Sequence, residues 1–310
     1  MRLLIAEAEH TRYAELLAPA TGHIEVRAAA DVNALLALAD GCDIWLGQPD
    51  LLAALLRGGH KPQWLQSTWA GITPLLAADL PKDYQLSRAV GIFGQVMAEY
   101  VLAHVLAYER SLFARRAAQA QQHWDNRLPR SLAGLKVLIV GCGDIGQAVA
   151  EFLQPFGVEL TGIASQARQQ APFSKVLAMD ALTAQLASAD YVVNLLPDTP
   201  ATQNIYDAKA FAAMQESAVF INAGRGVAVV DADLVSALQQ QQIAAAVIDV
   251  CRQEPLPAGH VFWDAPNLLL TGHSSAPTQP ALMAQLFIDN LQRFNKGERL
   301  HGAVDFARGY

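Results

Sequence analysis

"KVLIVGCGDIGQAVAEFL", Lys136 to Leu153, reads as a buried strand, a glycine turn and a helix in unbroken succession. The turn, Gly141-Cys142-Gly143-Asp144-Ile145-Gly146, fits G-x-G-x-x-G with a strand before it and a helix after it. Gly141 permits the tight turn, Gly143 lets the backbone approach a pyrophosphate, and Gly146 lets helix and strand pack closely. The helix start then offers free N–H groups and a positive dipole end to phosphate. Outward from this stretch, apolar runs at Val158–Ile163, Tyr191–Leu196, Val219–Ala223, Ala245–Val250 and Leu268–Thr271 read as further strands, most of them separated by helical patterns. Before it, Leu3–Ala6, Ile24–Val26, Ile44–Gly47 and Trp64–Thr68 read as strands, with helices at Thr11–Leu17, Asp31–Leu38 and Asp50–Leu56. A long helix is expected from about Gln95 to Ala118. The βαβα alternation predicts two doubly wound α/β units with parallel sheets, the dinucleotide-type unit second.

Composition agrees with a core-rich globular chain. Of 310 residues, 52% are hydrophobic and 16% charged, a size for about two domains of ~150 residues each. A net charge of −7 with no Lys/Arg block argues against nucleic-acid binding. No apolar run approaches the ~18 residues of a membrane helix, and Glu7 and Glu9 interrupt the opening run, so neither a membrane nor a signal segment is expected. Cys42, Cys142 and Cys251 form neither a metal-ligand spacing nor a disulfide framework, which points to a reducing cytoplasm and to no bound metal.

NAD-binding units carry an acid about 20 residues after the turn to hold the ribose 2′-hydroxyl. No Asp or Glu occurs between Gly162 and Asp180, whereas Ser165 and Arg168 follow the second strand. Those groups suit a 2′-phosphate, so NADP is favoured over NAD. The expected cofactor-binding positions are Gly141, Gly143, Asp144, Ile145, Gly146, Ser165, Arg168, Leu196, Pro197, Ala223 and Asp249.

Three later strands of the same unit end in Arg225, Glu254 and His273. Residues just beyond the carboxyl ends of parallel strands line the ligand crevice. Reducing a 2-oxo acid takes a hydride from a cofactor and a proton for the developing alkoxide. A histidine donates that proton near neutral pH. A carboxylate beside it favours imidazolium and fixes the ring. An arginine grips a carboxylate with its planar fork. The glycines flanking Arg225 would let the backbone turn sharply and leave the side chain in the crevice.

"VGCGDIGQAVA", "NLLPDTPATQNIY", "FINAGRGVAVVDADLVSAL", "DVCRQEPLP" and "TGHSSA", with Glu254 29 positions after Arg225 and His273 19 after Glu254, resemble the D-isomer-specific 2-hydroxyacid dehydrogenase family over nearly the full length. The resemblance implies Arg225 as binder of the substrate carboxylate, Glu254 as partner of the histidine, and His273 as acid/base. It implies that Ala70-Gly71-Ile72 offers backbone N–H groups to the carboxylate, with Trp69 beside it either narrowing the pocket or buried as a core residue. Thr73 stands where many members have Asp, and Gly272 where many have Pro, which puts the local loop shapes in question.

The family implies a flavodoxin-like substrate domain of residues 1–94 and 277–310 around a Rossmann-type domain of 95–276. Hinges would lie near Gly94 and Ser275–Pro280, with a homodimer formed through the helix after Gly94. With the sequence ending at Tyr310, no C-terminal regulatory domain is expected. The missing acid and "MAEYVLAHVLAYER" look most like glyoxylate/hydroxypyruvate reductases. A non-catalytic corepressor-like dinucleotide sensor and a formate- or phosphite-type dehydrogenase are the alternatives.

Overall fold

The computed structural model describes residues 1–307 and Gly309; Arg308 and Tyr310, the latter read above as the end of the chain, lie outside it. The chain divides into two compact units, Met1–Ile92 with Thr278–Tyr310, and Phe93–Pro277.

In the first unit, β1 (Arg2–Ala6), β2 (Glu25–Ala29), β3 (Ile44–Gly47), β4 (Trp64–Ser67) and β5 (Gln85–Ser87) form a parallel sheet in the order β2-β1-β3-β4-β5. This is the flavodoxin-like order, and its reversal point lies between β1 and β3. Helices α1 (His10–Thr21), α2 (Val32–Leu38) and α3 (Pro49–Arg57) connect the strands. Leu4, Ala6, Trp45 and Leu65 alternate onto the face that α2 and α3 cover.

The last helix belongs to this unit for a readable reason. Its Phe287 and Phe294 stack on Trp64 of β4 at ring distances of 5.0 and 5.3 Å. Such pairs add about 0.5–1.5 kcal/mol each beyond burial. Asn290 on the same helix donates to Gln66 Oε1 at 2.8 Å.

Beyond β1, Glu7 is buried. Its carboxylate accepts from Gln48 Nε2 at 2.9 Å, from the Ala8 N–H at 3.2 Å and from Thr68 Oγ1. Burial nevertheless pushes this carboxyl above its ordinary value of 4.5, the hydrogen bonds opposing it. The fold therefore binds this proton more tightly than the unfolded chain. Its stabilising contribution is complete below pH 4.5 and is lost as pH rises through the elevated value. Glu7→Gln, which keeps polar partners and removes the charge, is expected to raise Tm at pH 8 more than at pH 5. Thermal melts at the two pH values check this, and equal shifts would contradict it.

The second unit begins with α4 (Gly94–Glu109) and α5 (Leu112–Ala120). The single long helix expected over 95–118 is in fact two. Ser111 takes a left-handed φ of +53°, which ends the ladder after Glu109 and lets the chain restart in a new direction. Beyond them lie β6 (Lys136–Val140), α6 (Asp144–Leu153), β7 (Glu159–Ala164), β8 (Lys175–Ala178), α7 (Leu182–Leu186) and β9 (Tyr191–Asn194). The unit continues through α8 (Ala208–Ala212), β10 (Val219–Asn222), α9 (Asp231–Gln239), β11 (Ala245–Ile248) and β12 (Leu268–Leu270). The last helix of the chain is α10 (Pro280–Lys296).

The seven strands are parallel, ordered β12-β11-β10-β9-β6-β7-β8. That is the Rossmann order, with its reversal between β6 and β9, extended by one strand. Both faces are covered, as a parallel sheet requires. Leu138, Val140, Val192, Phe220 and Ile248 pack on one side, and Val137, Ile139, Tyr191, Val193, Ile221 and Val247 on the other. β5 and β8, three and four residues long, were not anticipated from the sequence. Among the described residues no helix is long and apolar enough to cross a membrane, and no group of three or more His, Cys, Asp or Glu is placed to hold a metal ion.

Candidate functional site

Because all seven strands run the same way, their carboxyl ends share one edge. Read along that edge, β12 leads to His273, β11 to Asp249 and Glu254, β10 to Ala223 and Arg225, β9 to Leu196 and Pro197, β6 to the glycine turn, and β7 to Ser165 and Arg168. Residues scattered over more than a hundred positions are thus assembled by strand order alone.

The glycine turn has the close approaches its sequence implies. A Cβ on Gly146 would stand 2.1 Å from Gly141 O, and one on Gly141 2.8 Å from Leu195 C and O. Above Gly143, by contrast, the space is open. Gly143 caps α6 without a side chain, so the first N–H groups of that ten-residue helix are not covered by a capping group. Asp144 and Ile145 open the helix. These residues fit a dinucleotide pyrophosphate. Cys142 turns inward; burial pushes its thiol up to about 11, so it is inert as a nucleophile.

Ser165 follows β7 directly and is exposed. Arg168 is exposed too, but it is held over the turn. Its backbone N–H donates to Val176 O at 3.0 Å, and its Nη2 donates to Cys142 O at 2.7 Å. Gln170, which accepts from Arg168 Nε at 2.6 Å, also bonds Gln147 of α6. Neither glutamine was marked in the sequence; no motif signals them.

At the other end of the edge, His273 Nδ1 lies 2.6 Å from Glu254 Oε2. A carboxylate only accepts, so Nδ1 carries the proton and donates it to the hydrogen bond. The other oxygen, Oε1, accepts from the Cys251 N–H at 2.8 Å. Both side chains are well exposed, 47% and 36%. A pair so wetted contributes at most about 1 kcal/mol to stability, which leaves stability a poor reason for its presence.

The turn carrying His273 is built on Asp249. That residue is buried, and its carboxylate accepts from Thr271 Oγ1 at 2.6 Å, the Ser274 N–H at 2.8 Å and the Ser275 N–H at 3.1 Å. Its carbonyl takes the His273 N–H at 2.6 Å. Thr271 gives its only proton to Asp249, so Tyr100 OH, 2.8 Å away, must be the donor in their contact. His273 has φ +56° and Gly272 φ +67°. A proline, fixed near −65°, could not take the place of Gly272 here, so this departure from the family pattern goes with a different turn. Thr271 and Tyr100 were not singled out from the sequence, where nothing relates positions 171 residues apart.

Arg225 is partly buried, and its Nη1 donates to Gly224 O at 2.6 Å. Its turn rests on two buried amides. Asn194 Nδ2 donates to Asn222 Oδ1 at 2.8 Å, and Asn222 Nδ2 donates to Arg225 O at 3.2 Å. A Cβ on Gly226 would meet Cys251 C at 2.0 Å, so the arginine turn lies backbone-on-backbone against the turn that carries Glu254.

In the first unit, the loop after β4 has Trp69 exposed at 40%, which excludes the core role for it. Ser67 Oγ accepts from the Trp69 N–H at 3.1 Å, and Trp69 O accepts from the Ala89 N–H at 3.2 Å. Ala70 and Gly71 are half-buried and Ile72 is buried.

A Rossmann-ordered sheet with a fitted glycine turn, and an acid-held histidine on the same edge, defines a dinucleotide-dependent dehydrogenase of the two-domain α/β class. The family model for the D-isomer specific 2-hydroxyacid dehydrogenase NAD-binding domain matches residues 102–275, and the chain belongs to that family. A glyoxylate/hydroxypyruvate reductase A of Yersinia enterocolitica is 33% identical over 214 residues, 69% of this chain and 68% of that protein. A D-isomer specific 2-hydroxyacid dehydrogenase family protein of Aeromonas salmonicida superposes with a TM-score of 0.93 at 37% identity, covering 98% of this chain and 99% of that one. An NADPH-dependent glyoxylate/hydroxypyruvate reductase of Sinorhizobium meliloti, solved with NADP and sulfate, superposes at 0.85 with 28% identity, covering 100% and 99%.

Proposed function

We propose that the protein reduces small 2-oxo acids, glyoxylate or hydroxypyruvate, to D-2-hydroxy acids with NADPH. The observation that carries this reading is the Glu254–His273 hydrogen bond on the same strand edge as Arg225 and the glycine turn. The relatives' names favour it over a corepressor-like sensor and over a formate- or phosphite-type dehydrogenase.

The dinucleotide, when bound, supplies the hydride. Gly141, Gly143, Asp144, Ile145 and Gly146 would hold its pyrophosphate, Leu196, Pro197 and Ala223 would line its path along the edge, with the buried Asp249 behind them holding the histidine turn rather than touching the cofactor, and Ser165 and Arg168 would meet a 2′-phosphate. Arg225 grips the substrate carboxylate through its fork. With Nδ1–H held by Glu254, His273 presents Nε2–H and gives that proton to the carbonyl oxygen as charge builds there. Glu254, by holding Nδ1 at 2.6 Å, fixes the orientation of the ring. Exposure of His273 then lets water restore the proton.

Loss of absorbance at 340 nm with NADPH across a panel of 2-oxo acids tests the reading; a protein that binds NADPH and reduces none of them overturns it. The cofactor preference has its own test. A charge-assisted phosphate contact contributes about 1.5–3 kcal/mol, roughly 10- to 150-fold in kcat/KM. Arg168→Ala is expected to remove most of the NADPH preference and leave NADH kinetics nearly unchanged. Equal weakening toward both cofactors would return Arg168 to a role in shaping the turn.

The same reading includes a homodimer in the cytoplasm. Met97, Ala98, Val101 and Val105 of α4 are buried within their own unit. The apolar surface instead lies beyond it, on Leu112 and Phe113 of α5 and on Trp124 and Leu128, which are 53%, 63%, 88% and 92% exposed. So much exposed apolar surface in one short segment suits a second copy of the chain. Light scattering on the wild type and on Phe113→Asp with Trp124→Asp tests it, a monomeric wild type being the contrary result.

A further inference from the structure

We propose that Arg252 is a positioning residue, which locks the turn of Arg225 to the turn of Glu254 so that the carboxylate-binding and proton-donating groups keep one geometry. The inference rests on the function proposed above and adds a residue to which that reading gives no role.

Arg252 sits between Cys251, whose N–H holds Glu254 Oε1 at 2.8 Å, and Glu254 itself. Its guanidinium reaches away from Glu254, onto the turn that follows Arg225. Nε donates to Val229 O at 2.8 Å, and Nη2 donates to Val227 O at 3.1 Å, to Val229 O again and to Asn204 Oδ1. One planar fork therefore ties down two carbonyls lying two and four residues past Arg225.

The far side of that turn is fixed independently. The Asn204 N–H donates to Val227 O at 2.9 Å, the Tyr206 N–H to Ala228 O at 2.9 Å, and the Val230 N–H to Tyr206 O at 3.0 Å. The near side has no slack either, because Gly226 already lies in backbone contact with Cys251 and Arg252. Asp231 stands 3.5 Å from Arg252 Nε, and its other oxygen is 3.3 Å from His260 Nε2. The guanidinium is thereby held from behind as well. A lysine's three N–H donors radiate from one nitrogen, where the site uses two nitrogens fixed in one plane, so it can replace the charge but not the double clamp.

Reaction geometry is sensitive to displacements of about 1 Å, which cost on the order of 100-fold. Arg252→Met, which keeps bulk and removes every donor, is expected to lower kcat for glyoxylate about 10- to 100-fold with NADPH affinity unchanged. Arg252→Lys is expected to recover part of the loss. Combining Arg252→Met with Glu254→Gln should cost little more than Glu254→Gln alone, since both act on one geometry. A methionine variant within twofold of wild-type kcat, or full additivity with Glu254→Gln, overturns the proposal.

Backbone amide exchange separates this inference from the function it rests on. Arg252→Met should accelerate exchange in residues 226–230 and 251–254 together, other segments staying as in the wild type. Acceleration confined to 251–254 overturns the clamp. If the wild type reduces no 2-oxo acid, the proposed function falls, and the exchange result alone decides whether the two turns are linked through Arg252.

Discussion

His273→Ala is expected to lower kcat for 2-oxo acid reduction on the order of 10²–10⁴-fold, the usual loss of a general acid, while NADPH still binds. The physical ground is specific. Glu254 fixes Nδ1–H at 2.6 Å, so the ring has one defined nitrogen left for substrate. Asp249 spreads its carboxylate over Thr271, Ser274 and Ser275, and these bonds set the turn on which the ring stands. Alanine keeps that turn, so cofactor titration by fluorescence should be close to wild type. Single-turnover mixing of enzyme, NADPH and glyoxylate isolates the chemical step from product release. Undiminished chemistry in the alanine variant would remove His273 from the mechanism.

Arg225→Lys is expected to reduce kcat/KM by about 100-fold, chiefly through KM. Lysine keeps the charge and loses the two parallel N–H bonds; hydrogen bonds to charged groups contribute about 1.5–3 kcal/mol each. The turn itself should survive, because Asn194, Asn222 and the contact at Gly226 support it in addition to the Arg225 side chain. Cofactor affinity is therefore a control within the same variant. Near-wild-type KM for glyoxylate, with cofactor binding intact, would return Arg225 to an ordinary strand-end residue.

The two predictions draw on residues legible in different ways. Arg225, Glu254, His273 and the glycine turn were readable because each ends an apolar run, and in a parallel sheet the ends of such runs share an edge. The break at Ser111 was not readable. A stripe of Val101, Val105 and Leu112 continues across it, and apolar spacing carries no sign of a single residue turning left-handed. The short edge strands β5 and β8 escaped for a related reason: three or four residues give too few periods to recognise.

By itself, the chain determined the class of fold, the place of the glycine turn and the residue types that follow the other strands along the same edge. These depend on local patterns, on the side chains of one strand and the glycines of one turn. Only the tertiary structure decided that Asp249 turns inward to build the histidine turn and that Tyr100 donates to it through Thr271. It alone brought Arg252 onto the carbonyls beyond Arg225, 23 and 25 positions away. Such contacts join polar groups that different strands deliver to one edge. Their partners are chosen by distance and by the need to satisfy each donor, and neither is written in the spacing along the chain.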